Sequence, residues 1–352
     1  MVRESVQTRP LNEREASVLQ ALIYEYITTG KPVGSRSFVQ KYSFSISPAT
    51  MRNIMFDLES MEYLKQPHTS AGRIPTDIGY RFYVNSLLDN YDFSLKEREI
   101  SVKEEAIKRE VQLDKIFSVV TRMLSSESRY AAVMLTPRFD FTVVKRIVLV
   151  PMGINEILFI LVTRTGMVLP KKVTVSANVT QDDMYAFSAY LTEELSGYAV
   201  YEIMDSIFDR LRQEHSTCPN KDMALDIAQL AISDYEEPRL HIEGIENLLK
   251  IPEMVEEERL NSLLSIIEDK SILKRILEKA IEFEGIRTLI GEEVAEEKVK
   301  GCSMVSASYK IGNKLVGAVG VIGPTRMDYE KVVPLVDYTG RVVTELLTKM
   351  SK

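Results

Sequence analysis

Apolar residues in the first sixty positions recur at helical spacing in three separate runs. In residues 12–29, Val18, Leu22 and Tyr26 fall on one stripe and Leu19, Ile23 and Ile27 on its neighbour, which predicts a helix. Thr28-Thr29-Gly30 followed by Pro32 ends it. A shorter helix opens at Ser35, whose hydroxyl can cap free amides, and runs to about Tyr42 with Phe38, Val39 and Tyr42 inward. Ser45-Ile46-Ser47 breaks the pattern and Ser47-Pro48 restarts it. Serine accepts the orphan amide hydrogens, and proline at the first helical position has none to lose. The third helix, about 48–61, places Met51, Ile54, Met55, Leu58 and Met61 on one face and Ala49, Thr50, Arg52 and Asn53 on the other. Leu64 to Thr76 then gives two short extended pieces around a loop punctuated by Pro67 and Gly72, the pattern of a hairpin wing. A further helix starts at Thr76 and packs through Tyr80, Val84, Leu87 and Leu88.

Residues 96–124 keep helical spacing (Ile100, Ile107, Val111, Ile116, Val119, Val120, Leu124) among many charges, which predicts an amphipathic helix joining a head to a body. From Tyr130 the period becomes that of strands, at Ala131–Leu135, Val143–Val150, Ile157–Thr163 and Val168–Val175. A helix follows at about Asp182–Leu195. Near the end, Ser303–Ile311 and Lys314–Ile322 form a hairpin about Gly312-Asn313, and a final helix spans about Tyr329 to Met350. Strands on both sides of a helical stretch predict one mixed sheet interrupted by an insertion at about 206–282, with helices at Ala224–Tyr235, Val255–Ile267 and Ser271–Phe283. Such an insertion is either a dimer contact or an ordinary surface elaboration.

The 352-residue chain carries 44 Lys and Arg against 51 Asp and Glu, a formal charge of -7. That acidity is uneven. Residues 1–90 hold ten basic and nine acidic side chains, and residues 31–81 hold seven and four, so the head is locally +3 while residues 91–352 carry -8. A nucleic-acid reader needs positive charge at phosphates and gains from an acidic remainder that suppresses indiscriminate binding. Chance fluctuation in so small a window explains the charge alone equally well. The length exceeds one ordinary core, so several domains are expected. Apolar and charged fractions of 45% and 27% exclude a mostly disordered or collagen-like chain. No apolar run approaches the roughly 18–20 residues of a membrane span. No basic-then-apolar segment opens the chain, and two distant cysteines, Cys218 and Cys302, suit a reducing compartment. A cytoplasmic protein without a membrane partner is expected.

The polar face of the third helix suggests a use. Small residues at its amino end let it sit deep in a major groove, where Arg52 can donate two hydrogen bonds to guanine and Asn53 can pair with adenine. Ser45, Ser47 and Thr50, with the helix amino terminus, suit phosphate oxygens. Arg73, at the hairpin tip, would reach a narrow minor groove and His68 a phosphate. Helix–turn–helix packing also serves protein contacts alone. Catalytic signatures are thin. Gly317, Gly320 and Gly323 lack the G-x-G-x-x-G spacing and are better explained by close strand packing, and neither a phosphate-cradling G-x-x-x-x-G-K-[ST] run nor a G-x-S-x-G elbow occurs. His215 and Cys218 are spaced like a metal pair, but Cys302 and His241 supply no second pair. The clusters Glu292-Glu293 and Glu296-Glu297 read as solvated faces. No enzymatic activity, metal or cofactor is expected.

Five segments carry a resemblance to one family: Pro32-Val33-Gly34-Ser35-Arg36, Ala49-Thr50-Met51-Arg52-Asn53, the run QPHTSAGRIPT from Gln66 to Thr76, Gly79-Tyr80-Arg81-Phe82-Tyr83-Val84, and GVIGPTRMDY from Gly320 to Tyr329. Over nearly the whole chain, and in segment order, they resemble HrcA, the bacterial heat-inducible transcription repressors. Glu62 departs from that pattern, since the family usually has glycine there. Glycine takes a left-handed helix exit at little cost, so Glu62 predicts a different exit and wing angle. The resemblance implies an α+β multidomain fold. A winged helix-turn-helix at 1–90 would precede a linker helix and the first part of a GAF-like α/β domain at 91–205. A helical inserted dimerisation domain would occupy 206–282, and the second GAF-like part 283–352. It implies a homodimer on a double-stranded inverted-repeat DNA operator, called CIRCE, upstream of chaperone operons, with a GroEL-type chaperonin as modulator and a nucleoid-associated bound state. The site residues on this reading are Thr50, Arg52 and Asn53 at bases and Ser35, Arg36, Ser47 and Lys65 at phosphates. His68, Thr69, Ser70 and Arg73 form the wing. A small-molecule-sensing regulator that uses the GAF-like domain is the alternative.

Overall fold

The structure, a computed structural model, describes residues 9–69, 71–89, 113–137, 142–153, 155–164, 166, 168–175, 179–233, 238–256, 259–261, 264–265, 269–294 and 301–350. Its amino-terminal head contains α1 (Glu13–Thr29), α2 (Ser35–Tyr42) and α3 (Pro48–Ser60), an antiparallel pair β1 (Leu64–Lys65) and β2 (Ile74–Pro75), and α4 (Asp77–Asp89). Asn12 starts α1: its side chain accepts from the Glu15 amide, and the Glu15 carboxylate accepts from the Asn12 amide. Gly30, left-handed at φ 65°, ends that helix. Gly34 rather than Ser35 is the cap of α2, and Ser35 is its first helical residue. Ser47 starts α3 by accepting from the Thr50 amide at 3.0 Å. Val18, Leu22 and Ile23 of α1, Phe38 of α2, and Met51, Met55 and Leu58 of α3 share one core with Tyr80 and Val84 of α4. Burying each large apolar side chain contributes about 1.5–3 kcal/mol, so the three stripes hold the helices at fixed angles.

Glu62 corrects the expectation of a different helix exit. It adopts φ 63°. The Tyr63 N–H donates to the Leu58 carbonyl and the Glu62 N–H to that of Glu59, both at 3.0 Å. These are the paired bonds of a glycine-type helix end. A glutamate follows the same path because both bonds demand it, at a steric cost of about 1–2 kcal/mol.

After the head come α5 (Leu113–Ser128), β3 (Ala131–Leu135), β4 (Val144–Gly153), β5 (Glu156–Thr163), β6 (Val168–Thr174) and α6 (Gln181–Leu195). Then follow α7 (Val200–Glu202), a π turn at Ile203–Ile207, α8 (Phe208–Gln213), α9 (Lys221–Ser233), β7 (Leu240–Glu243), α10 (Ile245–Leu248) and α11 (Ser271–Ile281). The chain closes with β8 (Ile286–Ile290), β9 (Cys302–Ile311), β10 (Lys314–Pro324) and α12 (Tyr329–Met350). The predicted linker helix is present from Leu113; its earlier part lies outside the described residues.

The body sheet has the order β7-β3-β10-β9-β8 with every neighbouring pair antiparallel. Both faces are covered, so alternate residues of one strand serve different layers. Val305, Ala307 and Tyr309 of β9 join Val319 and Val321 of β10 under α5 and α12. Cys302, Met304, Ala318 and Ile322 point the other way, onto Leu273, Ile276 and Leu277 of α11.

The expectation of one mixed sheet interrupted at 206–282 is corrected. Strands β4, β5 and β6 pair only with each other, in a separate three-stranded sheet. Ile147, Phe159 and Leu161 pack there against Phe187 and Leu191 of α6 and Ile227 of α9, in a core of their own. The chain leaves the body sheet after β3 and rejoins it at β7, and residue 206 falls inside the π turn. Tight turns explain this: Asn155, left-handed at φ 61°, and Gly166, at φ 80°, close β4, β5 and β6 as successive hairpins. Successive hairpins extend their own sheet and need no crossover to another.

Candidate nucleic-acid interface

Helix α3 turns Ala49, Thr50, Arg52, Asn53 and Phe56 outward while its methionines and Leu58 sit in the core. Beside it, the amino end of α2 and the hairpin enclose a groove of about 720 Å³ whose walls include Ser35, Arg36, Arg52, Gln66, Thr69 and Arg73. Ser47 Oγ and Thr50 Oγ1 lie 2.9 Å apart and share a hydrogen bond, so the pair that caps α3 also forms its polar tip. Arg36, Arg52 and Asn53 are exposed.

The hairpin is tied from inside. Gln66 Nε2 donates to the carbonyls of Thr69 at 3.0 Å and Ala71 at 2.9 Å, and the Ala71 N–H donates to the His68 carbonyl at 2.9 Å. His68 and Thr69 are exposed at the tip; Ser70 lies outside the described residues. A Cβ on Gly72 would stand 2.4 Å from the Val33 carbonyl carbon and oxygen. That close approach lets Val33 and Arg73 exchange two backbone hydrogen bonds of 2.9 Å each, which moor the hairpin to the α1–α2 connection.

Two predicted residues sit elsewhere than expected. Arg73 is at the base of the hairpin rather than its tip. Its backbone is held by Val33, and its guanidinium pairs with Glu59 of α3 at 2.9 Å with only 16% of the side chain exposed. Lys65 alternates with buried Leu64 on β1 and faces a different cleft, between head and body, lined also by Tyr26, Tyr80, Glu253 and Arg326. The structure thus gathers Ser35, Arg36, Arg52, Thr69 and Arg73 around one groove. Ser47, Thr50 and Asn53 occupy the adjoining surface of α3, and Lys65 stands apart.

Charge pairs fix the head internally. Glu25 of α1 accepts from Lys41 at 2.5 Å and from the Tyr42 hydroxyl at 2.8 Å, which links α1 to α2. The lysine hydrogen bond holds the Glu25 carboxyl below its ordinary value despite burial, while burial and that carboxylate push the Tyr42 phenol up.

Sequence reasoning missed how the head is joined to the body. Arg326, within the GPTRMDY run, donates to the Ile27 carbonyl near the end of α1 at 3.2 Å and pairs with Glu253. Arg81 of α4 pairs with Glu293 and donates to the Thr288 carbonyl at 2.7 Å, and Asp77 accepts from the Glu292 amide at 3.0 Å. Half of the acidic cluster read as a solvated face, Glu292-Glu293, is therefore part of this seam. The one available signal was an arginine placed in a distinctive run more than two hundred residues from the head. Among the described residues no group of three His, Cys, Asp or Glu side chains is placed to hold a metal, and no helix is long and apolar enough to cross a membrane.

A head of four helices with a hairpin, joined to a body whose helices pack on two antiparallel sheets, is an α+β architecture consistent with a regulator. The family model described as the HrcA protein C-terminal domain matches residues 114–333. Proteins described as heat-inducible transcription repressor HrcA match along almost their full lengths. The one from Desulforamulus reducens is 36% identical over 346 residues, covering 97% of this chain and 99% of that one. Those from Leptospira biflexa and Geobacter sulfurreducens are 33% and 36% identical and cover 97% and 96% of this chain and 99% and 98% of their own. A solved structure, described only as a hypothetical protein, superposes with a TM-score of 0.66 at 25% identity, covering 97% of this chain and 100% of its own. The chain belongs to the HrcA family.

Proposed function

We propose that this protein is a negative regulator of chaperone operons, binding an inverted-repeat operator of the CIRCE type as a homodimer and blocking transcription until heat stress relieves it. The observation that carries this reading is the polar outward face of α3, with Arg52 and Asn53 beside the α2 amino end and the hairpin, in a chain matched end to end by heat-inducible repressors. The head is then a winged helix-turn-helix. Thr50, Arg52 and Asn53 face bases, Ser35, Arg36 and Ser47 take phosphates, and His68 and Thr69 reach the flanking backbone. Arg73 acts by orienting the wing through Glu59, and Lys65 belongs to the head–body cleft. The antiparallel sheet covered on both faces supports a GAF-like body.

An operator with two half-sites needs two heads at fixed spacing, hence a symmetric dimer. The inserted three-stranded unit supplies a face for it. Along β5, Ile157, Phe159 and Leu161 point to the core, so Leu158, Ile160 and Val162 point away from it, and Met152 and Val168 on the flanking strands are exposed. A GroEL-type chaperonin that keeps the repressor competent, and is withdrawn when unfolded proteins occupy it, supplies the heat response. The test is fluorescence anisotropy on a labelled inverted repeat and a scrambled duplex, each at several salt concentrations, because the phosphate share of binding falls with salt. Selectivity that persists as salt rises is expected. Equal, steeply salt-dependent binding to both duplexes, with and without chaperonin, would refute the reading.

A further inference from the structure

We propose that Phe56 is a third reader on α3 and that it recognises the 5-methyl group of a thymine in the operator. This rests on the reading of α3 as the helix that enters the major groove. Phe56 is 59% exposed and is the only large apolar side chain so exposed on α3. The head's other phenylalanines are packed: Phe38 lies against Tyr42 and Phe44, and Phe82 meets Tyr63 edge-on. Among the described residues no such ring contact involves Phe56. It follows Arg52 by four residues and Asn53 by three, spacings that align the three side chains on one side of a helix. The opposite side, with Met51, Met55 and Leu58, is buried, and the ring is not part of the packed core of the head.

The major groove offers donors and acceptors to Arg52 and Asn53, and one apolar group, the thymine methyl. Helical rise sets Phe56 about 4.5–6 Å beyond the two polar readers. That distance is one to two base-pair steps of about 3.4 Å. With α3 lying in the groove, the ring stands beyond the pairs that Arg52 and Asn53 bind and within reach of a neighbouring one, where covering a methyl releases water from two apolar surfaces.

The experiment titrates the full-length protein, with Phe56→Ala and Phe56→Leu variants, on a labelled inverted-repeat duplex. Its thymines are replaced one at a time by deoxyuridine, which removes only the methyl. Thermal melts confirm that the variants fold. At one thymine in each half-site, deoxyuridine should weaken wild-type binding about fivefold or more and weaken Phe56→Ala no further, while Phe56→Leu keeps part of the effect. That non-additivity marks direct contact. Equal losses in wild type and Phe56→Ala at every thymine, or no thymine whose methyl the wild type senses, would overturn the proposal. A scrambled duplex run in parallel separates the failures. Without selectivity over it the operator reading fails and this proposal with it; selectivity with no methyl effect removes the role of Phe56 alone.

Discussion

Glu62 holds a backbone conformation that glycine adopts more easily, φ 63°, at the exit of α3. Glu62→Gly should stabilise the protein by about 1 kcal/mol, the left-handed strain of a non-glycine residue less the entropy glycine adds to the unfolded chain. A rise in the urea midpoint with unchanged slope would show it. No change would mean that the glutamate side chain offsets the strain. The sequence marked this position as a departure from the family, but the backbone bonds from Tyr63 and Glu62 decide its conformation, and bonds of that kind are silent in residue identity. Arg73 teaches the same lesson. Its place in the loop pattern suggested a tip, whereas the missing Cβ of Gly72 allows a mooring to Val33 that draws it to the base.

Among the elements, the hairpin depends on that mooring. Gly72→Ala would drive a Cβ to 2.4 Å from the Val33 backbone, so the two Val33–Arg73 bonds must break. The expected result is a loss of about 1–3 kcal/mol and increased hydrogen exchange at Val33 and Arg73; an unchanged exchange pattern would show that the hairpin shifts as a unit. The α1–α2 link makes a pH prediction. Because Lys41 depresses the folded Glu25 value, the stability it confers is present above the ordinary carboxylate value of 4.5 and is lost as pH falls through the lower folded value. Glu25→Gln should flatten that acid limb in pH-dependent melts, and an identical limb in both proteins would assign it to other carboxylates. Helices were the legible part of this molecule: the stripes of α1 and α3 could be read because the period coincides with the end signals Gly30 and Ser47-Pro48. Strands β7 and β8 were not. They are short, and His241 or Arg287-Thr288 break the apolar alternation because hydrogen bonds to neighbouring strands hold them there. The division into two sheets was likewise hidden, since strand periodicity shows that a residue pairs but not with which partner.

At the scale of the whole molecule, the proposed function requires that the head be held by a body that sets its direction. Arg326 joins the end of α1 to Glu253. Arg326→Ala should raise hydrogen exchange in the last turn of α1 and cost about 1–3 kcal/mol, as for a part-buried charged hydrogen bond left unmade; unaltered exchange there would show that the seam through Arg81 and Asp77 suffices. Ile160→Asp, on the outward face of β5, should yield a folded monomer in light scattering with weakened operator binding, and an intact dimer would move the dimer contact elsewhere. The central claim is that α3 reads sequence while the α2 amino end only positions. Its most direct test is the affinity of wild type, Arg52→Ala and Arg36→Ala for every single-base variant of one operator half-site, at one fixed salt concentration. Arg52→Ala should lose about 1–3 kcal/mol and become indifferent at one base pair, while Arg36→Ala weakens all variants alike. If Arg52→Ala lowers every affinity equally and leaves the base preferences of the wild type intact, α3 does not read the operator through Arg52 and the account is contradicted.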